Sequence, residues 1–281
     1  MKRLDRIKLD FTRNWNLPGK ERFANLLKPS AQLKQKMKDG IVWLANENIA
    51  IYTSADNYIE YAILSTGTYE DEINKLIRVS LKNGGIALDI GGNIGLQSIR
   101  MSQCAGQTGK VYAFEPLDYL RVKFNRNVLL NKALNITLFP YALSDKESEA
   151  DFTIDPGSWN QGTFSLNSTI TGLTKQHVVI KVADNIPEIQ NLDALDLIKI
   201  DVEGFEYPVL LGLTQTLAKH KPRIIFEFDD NYWISNGQKI SDCFAFLQSL
   251  GYAIYQVTSA GCELLHNAAE AEGGNLFCIP A

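Results

Sequence analysis

Residues 87–95 read Ala87-Leu88-Asp89-Ile90-Gly91-Gly92-Asn93-Ile94-Gly95. Twenty residues after Gly95, a second apolar run through Val111, Tyr112, Ala113 and Phe114 ends at Glu115 and Pro116. The first run is the end of a buried strand with an acid, Asp89, at its carboxyl end. A turn that favours glycine follows. A helix then begins, with Ile94, Leu96, Ile99 and Met101 at its apolar positions. Open α/β sheets take their ligands at the carboxyl ends of the strands. A helix start behind a glycine turn, with an acid at the neighbouring strand end to hold ribose hydroxyls, describes a nucleotide-type site.

The glycine spacing chooses among such ligands. A dinucleotide fingerprint needs glycine at the first, third and sixth loop positions, so that the backbone can approach a pyrophosphate. Counted from Gly91, the third position is Asn93 and the sixth is Leu96, and the fingerprint fails. S-adenosylmethionine carries no phosphate and makes no such demand. Its ammonium suits Asp89, directly or through water, and its ribose suits Glu115. The plain alternative is an ordinary strand-to-helix turn. The acid at the next strand end weighs against it.

Composition places the chain among globular proteins. It has 281 residues, 45% hydrophobic and 21% charged, enough for one large core. No apolar run approaches the ~20 residues that span a bilayer, and no apolar stretch behind Met1 makes a signal peptide. Cys104, Cys243, Cys262 and Cys278 are widely spaced and match no metal pattern. Reduced thiols and a cytoplasmic location are the expectation. Residues 1–40 hold eleven Lys/Arg and four Asp/Glu, a net of +7, so the overall −4 leaves −11 for the other 241 residues. The basic arm suits an anionic partner, a membrane surface or the acidic body of a second copy, unless it is a plain solvated helix face. The acidic body argues against nucleic acid as a substrate.

Along the chain, residues 1–38 read as interrupted helix, broken at Pro18-Gly19 and Pro29, and 41–53 as a hairpin around Asn46-Glu47-Asn48. A helix is expected over Thr68–Leu81. Strands at 86–90, 111–115, 136–142, 195–200 and 223–228 alternate with helices at 94–104, 117–131, 205–218 and 239–249. Apolar segments at 252–257, 262–265 and 275–279 close the chain, with a terminal hairpin at one sheet edge. Alternation of this kind implies a doubly wound α/β fold with a mainly parallel sheet. Between 144 and 190 it gives way to β-rich segments (150–154, 163–170 and 177–182), an insertion near the carboxyl edge where specificity loops sit.

Four segments in order resemble one family: Gly67-Thr68-Tyr69-Glu70, Leu88 to Gly95, Phe114-Glu115-Pro116, and Ile198-Lys199-Ile200-Asp201-Val202-Glu203-Gly204-Phe205-Glu206. They are similar to the FkbM family of S-adenosylmethionine-dependent methyltransferases, over about residues 65–280. The last segment is the most specific. The family mostly has Ala where Gly92 stands. The resemblance implies the Rossmann-like, seven-stranded class I methyltransferase sheet over 65–281, and leaves 1–64 as a helical and hairpin extension for capping or dimerisation. It implies that Asp89, Gly91, Asn93 and Gly95 meet the methionine portion of S-adenosylmethionine and that Glu115, followed by Pro116, meets the ribose. Ala142 and Leu143 would flank the adenine, and Tyr69 and Glu70 would reach the cofactor from the preceding helix. The family largely modifies oxygen on small molecules and sugars, with some members acting on nitrogen or peptides.

Asp201, Glu203 and Glu206 follow the fourth core strand, and Glu227, Asp229 and Asp230 end or follow the fifth. Three readings stand. Asp201 or Glu203 takes the proton of a hydroxyl acceptor or orients it. Two or three of the acids hold Mg²⁺ or Ca²⁺, although no metal is part of the expected cofactor set. Or Glu203 and Glu206 cap the next helix. His177, His220 and His266 are weaker candidates for a base; His177 is the best placed. Trp159, Asn160, Ser165 and Asn167 in the insertion, with Glu227, are candidate contacts for a sugar or other small acceptor. The expectation is a cytoplasmic O-methyltransferase acting on a hydroxyl or carboxylate. Its rivals are N-methylation of a peptide or amine, an NAD-dependent oxidoreductase, and a scaffold without catalysis.

Overall fold

The computed structural model describes residues 40–44, 47–54, 57–154 and 174–281. The interrupted helix expected over 1–38 and the segment 163–170 lie outside them. Two strands, β1 (Gly40–Trp43) and β2 (Ala50–Thr53), form the expected hairpin. The helix expected over Thr68–Leu81 is α2 (Asp71–Ser80), and a helix that was not foreseen, α1 (Tyr58–Thr66), precedes it. Gly67 ends α1 with φ +71, and Glu70 precedes α2 with φ +50. Tyr69 and Glu70 therefore lie in a loop between helices, not on one.

The central sheet runs through β3 (Ile86–Ile90), β4 (Lys110–Phe114), β5 (Ile136–Phe139), β9 (Leu197–Ile200), β10 (Arg223–Phe228), β11 (Tyr252–Thr258), β12 (Gly261–Leu265) and β13 (Gly274–Pro280). Its order is β12-β11-β13-β10-β9-β3-β4-β5. From β10 to β5 every pairing is parallel. The sheet has eight strands where seven were expected, with β12 at one edge. The last strand, β13, does not sit at that edge. It inserts antiparallel between β10 and β11, which buries Leu276, Phe277 and Cys278.

The third strand also ends early. Pro140 cannot donate to a ladder, and beyond it β6 (Tyr141–Leu143) joins β7 (Ser148–Ile154) and β8 (Thr174–Lys181) in a separate three-stranded sheet, order β6-β8-β7.

Helices cover both faces. α2 and α3 (Leu96–Ala105) supply Ile73, Ile77, Met101 and Ala105 to one face, against Ala87, Val111, Leu197 and Ile225. The other face carries Leu88, Ile90, Ile198, Ile200 and Phe226. They pack under α5 (Pro187–Gln190), α6 (Glu206–Leu211), α7 (Thr214–His220), α8 (Asp230–Ser235) and α9 (Ile240–Ser249). The single helix expected over 205–218 is two, and α8 was not foreseen. The hairpin shares a third core, with Val42, Leu44, Ile49 and Ile51 packed beside Ile94, Leu96, Ile99, Leu117 and Leu120. It is further tied to α4 (Asp118–Asn131), where Asn127 and Asn131 accept from the Tyr52 and Ala50 amides at 2.8 and 2.9 Å.

Strands β3, β4 and β5 step outward one way and β9 and β10 the other, so the order reverses between β3 and β9. Ligands of open sheets bind at such a switch point. Asp89 and Lys199 are register partners across it.

Candidate active site

Strand alternation sets the site. Asp89 follows Ala87, Lys199 follows Leu197 and Glu227 follows Ile225, each two residues on and hence on the α2–α3 face. Past the strand ends the loops converge. Gly91 takes φ +85, and a Cβ there would sit 1.9 Å from the Asp201 carbonyl oxygen, so the two loops touch through backbone that only glycine permits. Gly91 and Gly92 both donate to the Phe114 carbonyl, at 3.0 and 2.9 Å. Phe124 of α4 fills the space beneath Gly92, where a Cβ would stand 2.8 Å from its ring.

The donors and acceptors of this half are mostly paired. Glu115 is buried and accepts from the Asn93 amide through Oε2 and the Leu117 amide through Oε1, both at 2.9 Å. Burial pushes its carboxyl up to about 7, partly offset by those amides. Asn93 holds φ +48, a conformation asparagine tolerates. Asp89 is fully buried, and Oδ2 accepts from the Ser98 hydroxyl, while Oδ1 has no hydrogen-bond partner among the described residues. Burial raises its pKa against the pull of Lys199 and Ser98. Pro116 is half-buried, and its carbonyl accepts from Gln176 at 2.8 Å.

The second half is crowded with acid. Lys199 is buried and its Nζ lies 2.8 Å from Asp201 Oδ2. Burial works to lower its pKa, but Asp201, Asp89 and Glu70 outweigh it and hold it above the usual lysine range. Glu203 sits at φ +54 and accepts from the Tyr232 hydroxyl. Burial, then Asp201 and Glu206, push it to about 7. Glu227 is pushed to about 9 by burial and by Asp201, Glu203 and Glu70. Tyr69 is raised well above the tyrosine range by burial and by Glu70, Asp201 and Glu227. The expected candidates Tyr69, Glu70, Asp201, Glu203 and Glu227 therefore share one electrostatic neighbourhood beside Asp89.

Other acids have local partners. Glu206 folds back so that Oε1 accepts from the Val202 and Gly204 amides at 2.9 and 3.2 Å, clipping the loop that carries Asp201 and Glu203. This is a structural use of an acid at a helix start, made on the loop rather than on the helix. Asp229 caps α8 through the Asn231 and Tyr232 amides, and Asp230 is exposed. Among the described residues no group of three or more His, Cys, Asp or Glu is placed to hold a metal ion.

Ala142 and Leu143 fall on β6 rather than after the third sheet strand, and the Leu143 side chain is buried in the core under α6. His177 is exposed between Glu149 and Asp151 on the second sheet. Trp159, Asn160, Ser165 and Asn167 lie outside the described residues. Lys199, Tyr232, Ser98 and Gln97 were missed by sequence reasoning. Period-two alternation from Leu197 would have placed Lys199 beside Asp89; nothing local marked the others.

Residues 89–254, more than half of the chain, match the model of the methyltransferase FkbM domain. The chain belongs to the FkbM family of S-adenosylmethionine-dependent methyltransferases. The relatives of this FkbM methyltransferase include the AMB antimetabolite synthetase AmbE of Pseudomonas aeruginosa, 29% identical over 199 residues, 58% of this chain and 9% of that one. Methyltransferase 1 of Beauveria bassiana is 24% identical over 184 residues, covering 59% of this chain and 72% of that one. A solved FkbM methyltransferase from Methylobacillus flagellatus superposes with TM-score 0.42 at 15% identity, covering 79% of this chain and 53% of that one.

The residues present fit the family's cofactor. A donor such as an ammonium would satisfy Asp89 Oδ1, a buried acceptor left without one among the described residues. Each Glu115 oxygen already accepts one amide and keeps a second lone pair for a hydroxyl.

Proposed function

We propose that this chain moves the methyl group of S-adenosylmethionine to a hydroxyl or carboxylate oxygen of a small molecule, sugar or biosynthetic intermediate. In this reading Asp89, Gly91, Asn93 and Gly95 surround the methionine portion and Glu115 and Pro116 the ribose. Ala142 lines the adenine, with Leu143 contributing backbone only, because its side chain belongs to the core. Tyr69 and Glu70 close the near side. Bound there, the cofactor supplies an electrophilic methyl group on a sulfonium.

The convergence of Asp201, Glu203 and Glu227 beside Asp89 carries the proposal. An acceptor oxygen held in line with the methyl group forms the new C–O bond as the C–S bond breaks, and positioning supplies most of the rate. Glu203, at about 7, takes the acceptor's proton near neutrality. Asp201 is held in place by Lys199 and orients the acceptor. Glu227, at about 9, keeps its proton and donates a hydrogen bond to it.

The same crowd of carboxylates favours a second reading, a cationic amine as acceptor. Incubation with methyl-labelled S-adenosylmethionine and matched hydroxyl, carboxylate and amine acceptors separates them. Label on oxygen supports the first reading; label confined to nitrogen overturns it in favour of the second. The 1–64 extension is proposed as the cap or dimer contact; sedimentation of the full chain tests the second, a dimer supporting it and a monomer at all concentrations overturning it.

A further inference from the structure

The N-terminal hairpin reaches the site through one buried cation. Arg100, on α3, is fully buried, and so is most of Glu47 in the hairpin turn. Arg100 Nε donates to Glu47 Oε2 at 2.7 Å and Nη2 donates to Oε1 at 2.5 Å, a bidentate fork. Its remaining arm, Nη1, turns to the Tyr69–Glu70 loop and donates to the Tyr69 carbonyl at 2.8 Å and to Gln97 Oε1 at 3.3 Å. Gln97 Nε2 in turn donates to Glu70 Oε2 at 2.6 Å. Glu70 holds a left-handed backbone, φ +50, which a non-glycine residue keeps only when its surroundings fix it.

We propose that Glu47 is a positioning residue of the methyl-transfer site, setting the Tyr69–Glu70 loop through Arg100. The inference rests on the reading that this loop lines the cofactor. Glu47 lies in the hairpin, outside the segments that resemble the family, whereas the loop it reaches through Arg100 is one of them. Without Glu47 the fork is empty and Arg100 is free to leave the Tyr69 carbonyl. The loop then has no fixed geometry in which to meet a ligand.

The test is calorimetric titration of S-adenosylhomocysteine into the full chain, well below each variant's melting temperature. Glu47→Gln should weaken binding roughly tenfold. Arg100→Lys, which keeps the charge and loses the fork, should do the same and serves where Glu47→Gln does not fold. Asn131→Ala is the control. It loosens the hairpin from α4 by removing the bonds to Ala50 without touching Arg100, so it should lower the melting temperature and leave affinity unchanged. A lower melting temperature with wild-type affinity in Glu47→Gln and Arg100→Lys would overturn the proposal, as would equal weakening in Asn131→Ala. Tyr69→Ala separates the two layers. If it binds at full strength, the loop reading itself fails. If it weakens while the Glu47 and Arg100 variants do not, only the relay fails.

Discussion

The two halves of the site treat their carboxylates differently. On the β3–β4 side, Glu115 is met by two backbone amides and Asp89 by a serine hydroxyl. On the β9–β10 side, Asp201 pairs with the buried Lys199, and burial followed by Asp201 drives both Glu203 and Glu227 upward, with Glu203 adding to the rise of Glu227. The first half is built to present fixed acceptors to one ligand. Burial lifts Glu115 and Glu203 alike to about 7, but in the first half backbone amides oppose that rise, whereas in the second neighbouring carboxylates add to it and carry Glu227 to about 9, which suits groups that exchange protons with an acceptor.

The most damaging way to break this contrast is to break the backbone contact that joins the halves. Gly91→Ala places a Cβ against the Asp201 carbonyl at a φ that L-residues avoid. It should cost upwards of about 4 kcal/mol in urea denaturation, with loss of ligand binding. Within the second half, Glu203→Gln should lower kcat by about a hundredfold, whereas KM for S-adenosylmethionine, set by the first half, should barely move. The wild-type rate should rise with pH through about 7 as Glu203 loses its proton and fall above about 9 as Glu227 does, a bell whose lower limb Glu203→Gln removes. Equal losses in both parameters would merge the halves into one.

Stability should show the same protons. Glu115, Glu203 and Glu206 are raised to about 7 from an ordinary value of 4.5. Between those values the folded chain binds more protons than the unfolded one, so stability falls as pH rises. The contribution is complete below 4.5 and is lost through about 7, with Glu227 extending the loss toward 9. The urea midpoint of the ligand-free chain should therefore drop steadily over that window; a midpoint that climbs would refute the assignment.

The smallest expected effect is at Gly92. A Cβ there crowds the Phe124 ring at 2.8 Å while the Phe114 carbonyl oxygen stands at an ordinary 3.7 Å, and Gly92 has no left-handed backbone. Gly92→Ala should cost about 1 kcal/mol, and Phe124→Leu should recover part of it in a double-mutant cycle. Full additivity would mean that the ring is not the obstacle.

What was legible in the sequence follows from which forces are local. Asp89, the glycine turn and Glu115 could be read because strand ends and turns carry their signals within a few residues. The acids at 201, 203 and 227 could be grouped because parallel strands bring their carboxyl ends together. The start of α2 was read three residues early because the amphipathic run from Ile73 to Leu81 invites extension backward, and α1 was missed because Tyr58–Thr66 buries residues on most of its sides and so shows little amphipathic periodicity. β13 was misplaced because an apolar strand does not state its neighbours. The Glu47–Arg100 fork spans 53 positions, and no periodicity reports a pair that distant.

The central claim is that Asp89 and Glu115 hold S-adenosylmethionine. Titrating S-adenosylhomocysteine into the wild-type chain and into Asp89→Ala and Glu115→Ala, each first shown to be folded by circular dichroism, tests it most directly. Each replacement removes hydrogen bonds to a buried charged group, so each variant should lose about a hundredfold or more in affinity. Full-strength binding by both would contradict the account.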